Sequence, residues 1–371
     1  MDIRILILNW RDIYNPAGGG AENFTYQVMR RFVKAGHEVD QLSAGFDGSA
    51  PRDDQDGIQV HRIGDKWSVY REAKKFYRRS REKYDVVIDE INTRPFGTPK
   101  YVNNGERLFA LVHQLAREFW YHEMPYPVAF LGDHFLEEHW LRPYRKVATF
   151  AVSNSTLNDL TSLGFSNLRI AYQGLNYPPL EAVTPKNEVP TVVFVGRFTK
   201  AKRPDHALEA FKLAQKQIPG LRLKMIGRGY LQEKLIQQKV DGAEILGYLS
   251  LEDKNTTISH AHVLLVPAVR EGWGIVVTEA NALGTPALGY RVNGLVDSIK
   301  DGHTGLLCDP NPEDMASKLV ELFSAPARLR SMSANALEDS RQYSWDTAAQ
   351  DMRRAIEDEK EWPAKGVRAI P

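Results

Sequence analysis

Ile3-Arg4-Ile5-Leu6-Ile7-Leu8, then Asn15-Pro16-Ala17-Gly18-Gly19-Gly20, then a segment from Ala21 to Ala35, then Gly36 and a run from Glu38 to Ser43: this opening decides the fold. The first run is apolar and rich in branched residues, as in a strand buried on both faces. Phe24, Val28 and Phe32 recur at helical spacing, which gives the next segment one apolar stripe, and Gly36 supplies its stop. Strand, helix and strand in such close succession form a βαβ unit, so a parallel sheet is expected. Further buried strands are expected at 85–89, 108–113 and 147–153. Ser153 or Asn154 can cap the helix that ends before Gly164.

The composition shifts over 176–190, where Pro178, Pro179, Pro185 and Pro190 punctuate a polar stretch that reads as a linker. The pattern then restarts. Strands are expected at 191–195, 221–226, 262–267 and 286–290, with a short one at Ile245-Leu246. Helices are expected from Pro204, over 230–240, 274–283, 312–324 and 327–338, and from Asp346 onward. The chain therefore reads as an α/β protein with a first domain over 1–175, a linker over 176–190, a second domain over 191–345 and a closing helical stretch over 346–371.

Composition agrees with two domains and narrows the function. A chain of 371 residues with 43% apolar and 26% charged residues can bury two cores. A net charge of +1 is too balanced for nucleic acid to be the main partner. Cys308 is the one cysteine, so no internal disulfide forms and a cytoplasmic location is expected. The opening apolar run is too short for a signal peptide, and no run approaches the roughly 20 apolar residues of a spanning helix. Membrane contact would be peripheral, on the cytoplasmic face.

Three segments carry chemistry. The strongest is Arg270-Glu271-Gly272-Trp273-Gly274-Ile275-Val276-Val277-Thr278-Glu279, which follows a buried strand and opens a helix. Helix openings present unpaired N–H groups and partial positive charge to an anion. Glu271 and Glu279 flank that opening, and carboxylates accept hydrogen bonds from sugar hydroxyls. The second is Gly196-Arg197-Phe198-Thr199-Lys200-Ala201-Lys202, at the carboxyl end of the second domain's first strand. Ligands bind there in open parallel sheets, and Arg197 and Lys202 suit a diphosphate. Alone, this segment fits a solvated basic turn equally well. The third is Gly18-Gly19-Gly20-Ala21-Glu22, whose glycines let backbone approach a phosphate or sugar. It is neither a Gly-x-Gly-x-x-Gly fingerprint nor a P-loop.

Together these segments resemble the retaining glycosyltransferases of family 4, which have the GT-B fold. The resemblance covers nearly the whole chain. Its most specific parts are the Glu-x7-Glu pair, Glu271 and Glu279, and Gly-Arg-x4-Lys, with Arg197 and Lys202. It implies two Rossmann-like domains with parallel sheets facing across a cleft. It also implies that Glu271 holds donor-sugar hydroxyls, that Glu279 holds the ribose, and that Arg197 and Lys202 clamp the diphosphate. Donor contacts would further come from Gly18, Gly19, Gly20, Gly196, Gly227, Gly247, Tyr248, Gly272, Trp273, Gly274, Ile275 and Val276. His113 matches the family's histidine beside the donor sugar; taken alone, a strand-end histidine is more often structural. One departure is the family's usual Lys-Gly, which here is Lys202-Arg203-Pro204 and leaves the turn geometry open.

The activity implied is sugar transfer with retention from a nucleotide-diphosphate sugar, a UDP-sugar first and GDP-mannose next, to a hydroxyl of a saccharide, lipid-linked or small-molecule acceptor. No metal and no other cofactor is expected. Asp54-Gln55-Asp56 resembles the Asp-x-Asp of metal-dependent transferases but lies in a polar loop over 52–57, and it is read as a solvated turn. The segment from Arg117 to Tyr126, with Phe119, Trp120 and Tyr121, suits an acceptor surface or ordinary core packing. Between Lys66 and Lys83 eight basic residues face two glutamates. That stretch fits a helix packed on the sheet with a solvated basic face, and peripheral contact with anionic lipid stays open. Two other readings on the same fold are a nucleotide-sugar epimerase and a non-catalytic nucleotide-sugar-binding protein.

Overall fold

The computed structural model describes residues 3–80, 84–103, 105–123 and 125–357. These divide into two compact units. The first holds residues up to 117, 127–174 and those from 344 on, and the second holds 118–126 and 175–343.

The first unit is built on β1 (Arg4–Leu8), β2 (Glu38–Ser43), β3 (Arg52–Gln55), β4 (Ile58–Arg62), β5 (Val86–Asn92), β6 (Arg107–Gln114), β7 (Ala148–Ala151) and β8 (Leu168–Ile170). Among the described residues these form one sheet in the order β3-β4-β2-β1-β5-β6-β7-β8. Every pairing is parallel except β3 with β4. Ile5, Leu6, Ile7 and Leu8 are fully buried, as expected of a central strand covered on both faces.

The second unit carries β9 (Thr191–Val195), β10 (Arg222–Ile226), β11 (Ala243–Gly247), β12 (Val263–Val266), β13 (Ala287–Tyr290) and β14 (Gly305–Cys308). Its sheet runs β11-β10-β9-β12-β13-β14 and every pairing in it is parallel. Counted from its own first strand this is the order 3-2-1-4-5-6 of dinucleotide-binding sheets. In such sheets successive connections leave in opposite directions from the first strand, which opens a crevice at the carboxyl ends of β9 and β12.

Several expectations are corrected. The polar stretch over 52–57 is not a loop: Arg52–Gln55 is the antiparallel edge strand β3, and only Asp56 and Gly57, with φ of 53° and 89°, form the turn. Its polar sequence suits a sheet edge, where charged side chains prevent pairing with another chain. The helix expected over 230–240 is confined to Gln232–Gln237. The stretch over 176–190 belongs to the second unit: Leu180 N–H donates to Ala282 O and Asn187 N–H to His260 O. Lys186 Nζ donates there to Ser259 O, Gly284 O and Thr285 Oγ1, at 2.9, 2.8 and 2.9 Å. These oxygens follow or end two helices, where carbonyls are left over and partial negative charge collects. Burial lowers the Lys186 pKa to about 7.

Helix Trp345–Glu357 belongs to the first unit. Trp345 is buried against Phe24, edge to face at 5.7 Å, and lies so close to Gly174 that a Cβ there would collide with its backbone. The remainder of the closing stretch, 358–371, lies outside the described residues. In the basic segment, helix Val69–Ser80 buries Val69, Ala73 and Tyr77, one stripe at i, i+4 and i+8. Arg71, Lys75, Arg78 and Arg79 are exposed, and Arg81 and Lys83 lie outside the described residues. No helix among the described residues is long and apolar enough to cross a membrane.

Candidate active site

In the second unit the sequence-selected residues gather at the carboxyl ends of adjacent strands. Gly196 and Arg197 follow β9, Gly227 follows β10, Gly247 ends β11 and Tyr248 follows it, and the segment from Arg270 to Gly274 follows β12. Arg197 is exposed, with no side-chain hydrogen bond or ion pair among the described residues. Lys202, from the β9 side, forms an ion pair with Glu271, from the β12 side. The pair thus bridges the two strands whose ends define the crevice. Both side chains are largely buried, 23% and 13% exposed, so their attraction is screened less than on an open surface.

Close backbone approaches hold this arrangement. Phe198 N–H donates to Arg228 O and Gly196 N–H to Ile226 O, which ties the Gly-Arg loop to the loop after β10. Gly227 makes that possible: at φ 141° a Cβ would collide with the Gly196 carbonyl oxygen. Glu271 is fixed likewise by the loop after β13. Its N–H donates to Asn293 O, and a Cβ on Gly294, at φ 81°, would collide with its carbonyl oxygen. Arg203, where the family has glycine, keeps the left-handed conformation at φ 49° and ψ 52°, directly before Pro204 and helix Pro204–Gln215. The turn geometry that the sequence left open is thus left-handed at Arg203, and the Arg203 guanidinium lies 5.9 Å from the Tyr290 ring centre.

Helix Ile275–Ala282 opens behind Gly274, with Trp273 buried before it. Ile275 and Val276 sit in its first turn, and Gly272 precedes it. Glu279 is buried and accepts a hydrogen bond from Lys254 Nζ at 2.9 Å. Lys254 comes from helix Leu251–His260 and was not singled out by the sequence. Tyr177 OH donates to the Glu279 carbonyl, and burial together with the Glu279 charge pushes the Tyr177 pKa up. Tyr248 is 73% exposed, with the Arg228 guanidinium over its ring at 5.6 Å.

The first unit's candidates lie at its own strand ends. Gly18, Gly19 and Gly20 precede and open helix Gly20–Lys34. Gly19 N–H donates to Glu22 Oε2 at 2.6 Å, and Arg11 Nε donates to Glu22 Oε1 at 2.7 Å, so the loop is braced by a buried carboxylate. His113, near the end of β6, pairs through Nε2 with Glu90 Oε1 at 3.0 Å. Glu90 is fully buried in β5 and also accepts from Thr25 Oγ1. Glu90 and Lys254 are the polar partners that the sequence hid, because neither lies near its partner along the chain. Asp54 accepts from Gly57 N–H and Gln59 Nε2, and Asp56 from Tyr26 OH, all within the first unit. In the segment from Arg117 to Tyr126, Phe119–Glu123 is a short helix and Tyr126 is 71% exposed. Met124 lies outside the described residues.

Comparison with known proteins agrees with this fold. The family model described as Glycosyltransferase Family 4 matches residues 18–177, and that described as Glycosyl transferases group 1 matches residues 180–339. A D-inositol 3-phosphate glycosyltransferase of Catenulispora acidiphila is 28% identical over 213 residues, covering 53% of this chain and 48% of the relative. The chain spans about half the length of the curated relatives it matches, 47% and 48% for the first two. Sucrose-phosphate synthase from Thermosynechococcus elongatus shares the fold, with a TM-score of 0.78 at 19% identity over 96% of this chain and 98% of that one. So does HepE of Anabaena, solved in complex with UDP-glucose, with a TM-score of 0.71 at 15% identity over 96% of this chain and 99% of that one.

Proposed function

We infer that this chain, which belongs to the family 4 glycosyltransferases of GT-B fold, transfers a sugar with retention from a nucleotide-diphosphate sugar to a hydroxyl acceptor. The observation that carries this reading is the Lys202–Glu271 pair at the β9 and β12 strand ends, with Arg197 unpaired on the same side of the sheet. A lysine held by a carboxylate is ready to exchange that partner for a phosphate oxygen. Glu271 is then released to accept hydrogen bonds from sugar hydroxyls. Arg197, Lys202 and the opening of helix Ile275–Ala282 neutralise the departing diphosphate, which is electrostatic catalysis by preplaced charge.

Glu279, with one carboxylate oxygen taken by Lys254, offers the other to the ribose. Tyr248 and Gly247, at the end of β11, hold the base. A leaving phosphate oxygen takes the acceptor's proton on the face from which it departs, which retains the anomeric configuration. The cations make a metal ion unnecessary in this reading, and chelation with EDTA is expected to leave turnover unchanged. A UDP-sugar is the first choice of donor, supported by the UDP-glucose bound to the structural relative HepE, and GDP-mannose is the next. The acceptor is a hydroxyl of a saccharide, a small polyol or a lipid-linked glycan, and the name of the inositol-phosphate relative supports a polyol. Gly18 to Gly20 and His113 are proposed as the first unit's contacts to the substrates.

A thermal-shift screen of UDP, GDP, ADP and their sugars tests the donor. A ligand bound only by the native state at 100 times its Kd adds about 2.7 kcal/mol of stability. One nucleotide sugar should raise Tm, and its slow hydrolysis should vanish in Glu271→Ala. No shift with any nucleotide would sink the donor reading. Conversion of one free nucleotide sugar into another without acceptor would instead identify an epimerase.

A further inference from the structure

We propose that Glu90 is a positioning residue that fixes a proton on Nε2 of His113 and so leaves Nδ1 as the hydrogen-bond acceptor offered to a substrate hydroxyl. The proposal rests on the transferase reading for the nature of that oxygen, a sugar or acceptor hydroxyl, but not for the state of the ring. Three observations within the first unit carry it. Glu90 is fully buried, and among the described residues its charged partner is His113 alone, at 3.0 Å through Nε2. A buried carboxylate is costly without a hydrogen-bonded partner, so Nε2 must bring a proton to it. The carboxylate's other oxygen is filled by Thr25 Oγ1, which prevents it from swinging away from the ring.

The ring itself is held. Phe24 packs edge to face on it at 5.4 Å and 81°, and the His113 carbonyl accepts from Thr156 Oγ1 at 3.1 Å. His113 is 7% exposed, yet its Nδ1 is buried with no hydrogen-bond partner. A buried nitrogen without a partner calls for an explanation, and a ligand atom or an ordered water supplies one. A second one lies in the same network. Asn92 Nδ2 donates to Asn9 Oδ1 at 3.1 Å and lies 3.5 Å from Glu90 Oε1, and Asn9 Nδ2 is also buried without a partner. Asn9 Oδ1 also accepts from Arg11 N–H, which sets the amide so that its NH2 group is the end left over. A relay across the ends of β1, β5 and β6 thus terminates in two unfilled nitrogens, suited to the oxygens of a polyhydroxylated ligand. Which ring nitrogen of a histidine carries the proton is set by the bond the other atom makes, and here Glu90 makes that choice.

Long-range proton–nitrogen NMR of protein labelled at its histidine rings tests this without a known substrate. The His113 signals are assigned by their loss in His113→Gln. The wild-type ring should carry a proton on Nε2, and Glu90→Gln, which can turn an NH2 group toward that atom, should move the proton to Nδ1. If Glu90→Gln fails to fold, Thr25→Val is the companion variant: it unbraces the carboxylate, so part of the proton population should move from Nε2 to Nδ1, and a ring unchanged from wild type would overturn the assignment. A wild-type ring protonated on Nδ1 only, or an unchanged ring in folded Glu90→Gln, would overturn the assignment of Glu90. UDP-glucose and GDP-mannose are then added. Whichever raises Tm should shift Nδ1 and leave Nε2 in place; a Tm rise with Nδ1 unmoved overturns the substrate contact. If neither raises Tm, the donor reading has failed for these sugars, while the ring measurement still decides the role of Glu90.

Discussion

Apart from the antiparallel edge strand β3 and the added strand β8, the two sheets share one strand order around their first strands, yet their carboxyl ends are finished with different chemistry. In the second unit two lysines each hold one glutamate, Lys202 with Glu271 and Lys254 with Glu279, and Arg197, after β9, is unpaired among the described residues. In the first unit a buried glutamate is met by a histidine and a threonine, and the relay ends in amide and imidazole nitrogens. Full cations exchange partners with phosphate oxygens. Neutral amides and imidazoles match hydroxyls, which carry no charge to neutralise. On the proposed reading, one scaffold carries an edge suited to charge and an edge suited to hydroxyl groups, and the division lies in side chains rather than in topology.

The largest effect should come from the charged edge. Arg197→Ala and Lys202→Ala are each expected to lower kcat on the order of 100- to 1000-fold, the scale on which removal of one preplaced donor acts on a developing anion. Both variants should keep the wild-type far-UV spectrum. Full turnover in both, with the donor found by thermal shift, would remove the contrast between the two edges. A KM effect alone would mean that the cations bind ground state and transition state equally.

A smaller effect is expected at Lys254. In Lys254→Met the buried Glu279 carboxylate loses its cation, which costs about 1–3 kcal/mol where a buried polar group is left unsatisfied. Nucleotide affinity measured by calorimetry should therefore fall on the order of tenfold or more, at about 1.4 kcal/mol for each tenfold step. The same change should appear with the nucleoside monophosphate, because Glu279 is assigned to the ribose and not to the diphosphate. A loss confined to diphosphates would move Lys254 into the phosphate site and make the charged edge a cluster of three cations.

The contrast also explains what the sequence could disclose. β1 and β9 are mostly apolar runs, the Gly-Arg loop follows β9 directly and the glycine loop opens the first helix after β1, so fold and charged edge were legible in order along the chain. Lys202 and Glu271 belong to two recognisable motifs. Lys254 does not: it sits in an ordinary helix, and its meaning comes from Glu279, which only the packing of two helices brings near. The hydroxyl edge was hidden for the same reason. Glu90 lies in β5 just past the strand expected at 85–89, and Asn9 directly after β1, where neither residue type signals a partner on another strand. β3 was missed because an edge strand is polar, and β8 and β14 because three or four residues carry little periodicity.

The smallest effect concerns the turn that carries Lys202. Arg203 holds φ at 49°, a conformation in which a side chain costs roughly 1–2 kcal/mol relative to glycine. Arg203→Gly relieves that cost in the folded state and adds entropy to the unfolded chain, which offsets part of the gain. A net rise in stability of about 1 kcal/mol or less is expected, read as a higher denaturant midpoint at unchanged m-value. What Arg203 contributes instead is a third cation near Lys202, its guanidinium lying over Tyr290. If the strained arginine serves the charged edge, Arg203→Gly should gain stability while losing a few-fold in donor affinity. If Arg203→Gly gains stability with affinity intact, the charged edge consists of Arg197 and Lys202 alone, and the arginine at this turn is a tolerated strain.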